Sequence, residues 1–211
     1  MTALVAVIAV VVLAWFAAGT IWNVRKGSAL MRWMQGGLPL LGERTTVRWL
    51  GSTAVEMVIR QARAPFEQVT LLIFLEPRDL PWMWALSRRS GRRDTVIVRA
   101  HLRQAPKADL EALDPGSWSS RDALRSMASR EWSLRQAVAP GALPTWYKTP
   151  AALSRADALL EMASRAGLTV RRLSVRRTEP HLQLHLAPPP AGVSAGDFFQ
   201  AVRALGERAP A

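Results

Sequence analysis

Cysteine is absent from the 211 residues. That excludes a disulfide framework, a thiolate nucleophile and any Cys-ligated metal, and it suits a reducing compartment. Histidine occurs at three positions only, His101, His181 and His185. The sequence also lacks a glycine-rich phosphate loop of either common form, a G-x-S-x-G elbow and an H-E-x-x-H helix. A catalytic reading therefore has little to hold, and no catalytic residue, metal or cofactor is expected. Acidic residues are outnumbered, 16 against 28 Lys and Arg, for a formal charge of +12. Such a charge ordinarily points to nucleic acid or an anionic membrane. The inference is weakened because nearly all the basic residues are Arg in a chain rich in Ala, Leu and Pro, the usage a GC-rich genome imposes on any protein.

Charge is missing altogether from Met1 to Val24, where "ALVAVIAVVVLAWFAAGTIW" runs almost wholly apolar. About 20 residues at about 1.5 Å each give about 30 Å, the thickness of a hydrocarbon core, so 1–24 reads as a transmembrane anchor. A cleaved signal peptide would want basic residues before the run and a shorter apolar core. A buried core helix would want a comparably apolar surround, which the rest of the chain does not offer. Arg25, Lys26 and Arg32 follow the span and no basic residue precedes it, so the positive-inside rule puts the bulk of the chain in the cytoplasm of a single-pass cell-membrane protein. Trp22 falls at a depth suited to an interfacial ring. Residues 25–42, with Leu30, Met31, Trp33 and Met34, read as a juxtamembrane linker or as a short helix lying along the membrane surface.

The remainder predicts an α+β fold. Residues 43–105 form a β-rich subdomain: a hairpin turning at Gly51-Ser52, with Val55, Met57 and Ile59 on one face, then a buried strand over "VTLLIFLEP". A short helix follows, capped by Asp79, with Pro81 in its first turn and Gly91 at its end, before the strand "DTVIVRAHL"; the unit reads as a β-α-β crossover. Residues 106–150 read as a turn, a helix and a Pro/Gly linker, "APGALPTWYKTP". Residues 151–208 read as an α-β-β-α module. Ser119, Ser154 and Ser194, each with an Asp three residues later, predict three helix starts. Leu159, Leu160 and Ala163, then Leu182, Leu184 and Leu186, then Phe198, Val202 and Leu205 supply its core.

Basic residues gather in two further places. "LPWMWALSRRSGRR", residues 80–93, sets Trp82, Met83 and Trp84 beside Arg88, Arg89, Arg92 and Arg93. The bland reading makes the tryptophans core. Yet a helix of under three turns that is apolar on nearly every side cannot bury all its faces against one sheet, so the stretch is expected to meet the bilayer interface. Arg171, Arg172, Arg176 and Arg177 form a second stripe, read as a solvated strand edge or as a site for an anion or partner. No aromatic interleaves it, which disfavours nucleic acid. His181 and His185 would suit one ion on a helix, but on a strand they stand about 13 Å apart, so a solvated outer face and no metal are expected. Glu76, ending the buried strand, is the acid hardest to dismiss as a surface charge. The chain thus reads as a membrane-anchored scaffold, assembly or regulatory protein whose partners are anionic lipid and a protein or a second copy. The alternatives are a membrane-associated enzyme acting on a lipid or polyprenyl phosphate, with the 88–93 arginines as phosphate clamps, and a tethered nucleic-acid binder.

Overall fold

Alternation of apolar and polar residues organises the chain into one sheet. The computed structural model describes residues 2–128, 132–137, 142–190 and 192–210. They are α+β: a long N-terminal apolar helix, α1 (Thr2–Gln35), precedes β1 (Thr45–Trp49), β2 (Ala54–Ile59), β3 (Phe66–Phe74), α2 (Pro81–Arg89), β4 (Thr95–Leu102), β5 (Leu110–Leu113), α3 (Arg121–Ala128), β6 (Ser133–Arg135), β7 (Thr145–Tyr147), α4 (Pro150–Arg165), β8 (Val170–Val175), β9 (Leu182–Leu186) and α5 (Ala195–Arg208). The strands form a nine-stranded sheet in the order β1-β2-β3-β4-β9-β8-β5-β7-β6.

Register carries one apolar face across the strands. Met57 lies opposite Leu71, Leu71 opposite Val98, Val98 opposite Leu184, Leu184 opposite Leu173 and Leu173 opposite Ala112. Because side chains alternate with period two, these pairings put every second residue of each strand on that face. α4 and α5 cover it with Ala152, Ala156 and Leu159 and with Phe198, Phe199, Val202 and Leu205. The opposite face is mixed. A smaller cluster of Leu113, Ala123 and Met127 lies there beneath α3, and Phe74 meets Trp118 edge-on at 6.3 Å.

The hairpin at Gly51, the strands on either side of α2 and the paired β8 and β9 fall where the sequence places them. Other elements differ. β3 and β4 are antiparallel neighbours, so α2 is an insert in a reversing connection and not a crossover. Nine helical residues rise only about 14 Å, too little to carry the chain back along β3. The stretch 106–150 contributes three strands, β5, β6 and β7, and β9 pairs with β4, so the segments 43–105 and 151–208 share one sheet and one core. Residues 139–141 of the expected linker lie outside the described residues.

Capping follows backbone geometry more than the Ser-to-Asp spacing. Ser194 does cap α5, its Oγ accepting from the Asp197 amide at 3.0 Å. For α4 the cap is Thr149, with Pro150 in the first turn, and Ser154 is interior. Ser119 lies within a 3-10 turn, Trp118–Ser120, and α2 begins at Leu80 without a side-chain cap. Asp79, expected there, instead accepts from Ser52 Oγ at 3.1 Å.

The largest departure is in α1. The helix does not end near Val24 but runs unbroken to Gln35, so 25–42 is neither a linker nor a separate surface helix. Its physical reason is burial: Met34, Leu38 and Leu41, each 7 % exposed or less, belong to the main core. Gly19, Asn23 and Gly27, spaced by four, form the stripe that faces the sheet end. A Cβ at Gly19 would overlap the Arg78 carbonyl, and one at Gly27 would sit 2.7 Å from the Trp49 ring. Close approach of helix to sheet therefore requires glycine at both positions. Residues 2–18 include no buried residue, and α1 is, among the described residues, the one helix long and apolar enough to cross a membrane.

Candidate functional site at the helix–sheet junction

Where α1 meets the ends of β3 and β4, charged side chains converge on one carboxylate. Asp94, just before β4, accepts from Lys26 Nζ at 2.5 Å, from Arg78 Nη1 and Nη2 at 3.1 and 2.9 Å, and from the Glu76 amide at 2.7 Å. Burial works against its charge, but the hydrogen bonds from Arg78, Lys26 and Glu76, with the Arg78 charge, hold its carboxyl below the usual value. Asn23, fully buried in α1, donates to the Glu76 carbonyl at 3.2 Å and accepts from Arg78 at 3.2 Å. A buried amide in an otherwise apolar helix is costly unless paired, and here both its ends are. Arg171, reaching across from β8, donates to the Asp94 carbonyl and to Thr95 Oγ1 at 3.4 and 3.2 Å. Burial and then the nearby Arg93 lower its pKa.

Glu76 is buried in the same junction. Its Oε2 accepts from Trp84 Nε1 at 2.6 Å and lies 3.7 Å from Arg78 and 3.8 Å from Arg88. One turn of α1 earlier than Asn23, Gly19 touches the Arg78 backbone, and Trp15 Nε1 donates to the Arg78 carbonyl at 3.0 Å. These contacts fix the turn that leads into α2 alongside the Trp15–Gly19 stretch of the apolar helix. The arrangement clamps; each carboxylate is already taken up by cations or N–H donors, and none is left in an open cleft to move a proton.

α2 turns a different side outward. Trp82, Met83 and Leu86, at 52 %, 44 % and 63 % exposure, share one face that the described residues leave open. Trp84 is turned in, onto Glu76, with Arg88 stacked 5.4 Å over its ring. The expected pairing of Trp82 and Trp84 as two outward rings is thus divided by the indole hydrogen bond. Arg88 and Arg89 are exposed. Arg92 lies 5.1 Å over the Trp118 ring and Arg93 donates to the carbonyls of Arg88 and Arg92, so both are folded back on the chain. Trp22 and Arg25 are exposed on α1, as is Arg32. Trp33 faces the core side: its Nε1 donates to the Val193 carbonyl at 3.2 Å and its ring meets Phe198 edge-on at 5.4 Å. At the hairpin tip, Trp49 and Leu50 add exposed apolar surface beside Gly27.

The second arginine stripe is not a strand edge. β8 lies inside the sheet between β9 and β5, and Glu111 of β5, fully buried, takes Arg172 Nε at 2.5 Å, Arg176 Nη2 at 2.7 Å and Ser174 Oγ at 2.7 Å. Arg177 is exposed, its amide donating to Asp109. The histidines are also not on a solvated face. His181 accepts from the Leu102 amide at 3.0 Å, and His185 is 3 % exposed. Burial first, then the charges of Arg172 and Arg99, push His185 down to about 3. Among the described residues its Nδ1 has no partner, and no group of three or more His, Asp or Glu is placed to hold a metal.

Asn23, Lys26, Arg78 and Asp94 are the residues that sequence reasoning missed as a set. The available signals were faint: one amide inside an apolar run, and charges at the end of one apolar strand and the start of the next. No protein-family model matches the chain, and no curated protein matches it.

Proposed function

We propose that the chain is a single-pass membrane protein, anchored by the first part of α1 with its sheet domain in the cytoplasm, that binds protein partners and the anionic inner leaflet and catalyses nothing. The observation that carries this reading is the placement of the exposed Trp82, Met83 and Leu86 face on a helix whose entry turn, at Arg78, is fastened to Trp15–Gly19 of the apolar rod. If α1 spans from residue 2 to about Trp22, that fastening lies within the span's cytoplasmic end, and α2 must rest at the headgroup level. Apolar rings on one side with Arg88 and Arg89 beside them are the chemistry that this layer favours. Basic residues Arg25, Lys26 and Arg32 following the span favour the cytoplasmic side for the domain. A scaffold or assembly role suits a domain whose buried carboxylates are all tied up in ion pairs and amide contacts.

The absence of cysteine makes the test simple, because any introduced thiol is the only one. Spin labels at Met83→Cys and Leu86→Cys are compared with one at Arg60→Cys, an exposed site at the opposite end of β2. The full chain is placed in vesicles containing phosphatidylglycerol. The α2 labels are expected to be accessible to oxygen and shielded from a water-soluble relaxant, and the Arg60 label the reverse. A label at Leu86 as open to the aqueous reagent as the one at Arg60 would remove α2 from the membrane.

A further inference from the structure

The junction borders an open groove that the clamp does not use. Between α1 and α2 runs a crevice of 310 Å³ lined by Trp15, Ala18, Gly19, Trp22, Arg78 and Trp84. Ala18 and Trp22 also border a second, wider hollow, an open groove along α1 itself, completed by Ile21, Arg25 and Lys26. The two adjoin through a shared wall and differ in character. The crevice is walled almost wholly by indole rings and small residues, since Arg78 spends its guanidinium on Asp94 and Asn23. The hollow ends on two cations. Lys26 is committed to Asp94, but no ion pair or hydrogen bond to a described residue takes up Arg25.

We propose that this pair of spaces holds one anionic phospholipid, an acyl chain lying in the crevice and the phosphate on Arg25. The inference rests on α1 being a membrane span, because the walls are then part of the span and open into the leaflet. An apolar slot adjoining a cation that no described residue pairs matches the two ends of such a lipid in the order the bilayer presents them. Trp15 and Arg25 are ten residues apart, about 15 Å along the helix, so the phosphate sits near the surface while the chain reaches inward. The crevice volume is at the low end of the ~300–1,000 Å³ common for ligand sites, which fits a stretch of one acyl chain, the rest lying in the leaflet, and not a bulky ring system. Arg25 supplies the charge selectivity, and Ala18, exposed and facing both spaces, decides whether anything enters.

The full chain is extracted in mild detergent and its retained lipid identified by native mass spectrometry, with phosphatidylglycerol and phosphatidylcholine offered together. One phospholipid per chain is expected, enriched in phosphatidylglycerol about fivefold, the increment of one basic residue at an anionic surface. Ala18→Phe, whose ring fills the slot from an exposed position, should lose the retained lipid while keeping the parent's thermal midpoint. Arg25→Gln should keep a lipid and lose the preference, and it remains decisive should Ala18→Phe fail to fold. Parent protein that carries no lipid, a folded Ala18→Phe that carries as much, or an Arg25→Gln that keeps the preference each overturns the site. Carbonate washing of membranes separates the two levels: release of the chain defeats the span reading together with this one, whereas retention without bound lipid defeats only the lipid site.

Discussion

Lys26 of the apolar helix and Asp94 at the foot of β4 stand 2.5 Å apart across 68 residues of chain, with side-chain exposures of 44 % and 8 %. The contact is lopsided: the ammonium keeps much of its water while the carboxylate has given up nearly all of its own. Its partners are therefore unequal, since Arg78 is 18 % exposed and holds Asp94 through both terminal nitrogens.

Asp94→Ala is expected to cost about 3 kcal/mol, because Arg78 loses its bidentate partner and keeps, as counter-ion, only the more distant Glu76, at 3.7 Å, while largely buried. Lys26→Met should cost less than about 1 kcal/mol, because a half-exposed ammonium can return to solvent. Thermal midpoints of the full chain in detergent rank the two. Equal losses would show that both cations matter alike and that the bidentate pair is not the centre of the clamp.

Acid should act on the fold in two windows that overlap only near their common end. His185 is held neutral with a pKa of about 3, below its unfolded value of about 6.5, so the unfolded chain binds the extra proton between those values. Stability falls as pH drops below about 6.5 and goes on falling toward 3. Asp94, whose pKa is lowered, contributes stability that is complete above its unfolded value of about 3.9 and lost as pH falls through the folded one. His185→Gln should flatten the curve between pH 6.5 and 4 and leave the steeper loss below pH 4. Unfolding midpoints measured across that range would contradict the assignment if the variant and parent declined in parallel.

Gly19→Ala should loosen α1 from the sheet by about 1–3 kcal/mol, because the new methyl meets backbone and not a yielding side chain. Gly36→Ala is the control: the nearest atom to its Cβ would be 3.5 Å away, and little change is expected. Limited proteolysis near residues 76–80 reads the loosening directly. Resistance equal to the parent's in Gly19→Ala would mean that the helix and sheet do not depend on that close approach.

A reporter fused at the C-terminus should be active only in the form that works in the cytoplasm, given Arg25, Lys26 and Arg32 after the apolar run. Placing several lysines before Ala3 and replacing those three with Gln should weaken or reverse that orientation. Activity of an extracytoplasmic reporter on the unaltered chain would invert the topology and move α2 to the other leaflet.

Legibility in the sequence tracked how local each signal was. The alternating "VEMVI" and the continuous apolar "VTLLIF" announced β2 and β3 because burial is written into the strand itself. β5, β6 and β7 were hidden because three or four residues hold too little alternation to show a period. The Glu111 cluster was hidden for another reason: Arg172 and Arg176 look like a free basic stripe until β5, about 60 residues upstream, is laid beside β8. Glu76 stood out by its place at a strand end, but its partners Trp84, Arg78 and Arg88 take their roles from the turn that brings α2 back over it. The extension of α1 to Gln35 escaped notice because basic residues after an apolar run signal the membrane edge, and carry no information on whether the helix continues beyond it.

Since α1 passes from its free apolar end into the protein core without a break, and is pinned at Gly19, Asn23, Lys26 and Met34, rod and plate turn together. A spanning helix answers a thinner bilayer by tilting. If α1 is the span proposed above, then with no hinge at the boundary that tilt would not be absorbed locally, and it would lift or lower the far edge of the sheet, β6 and β7, relative to the lipid surface. The domain would then act as a pointer for bilayer thickness, with its reading set by the angle of one helix.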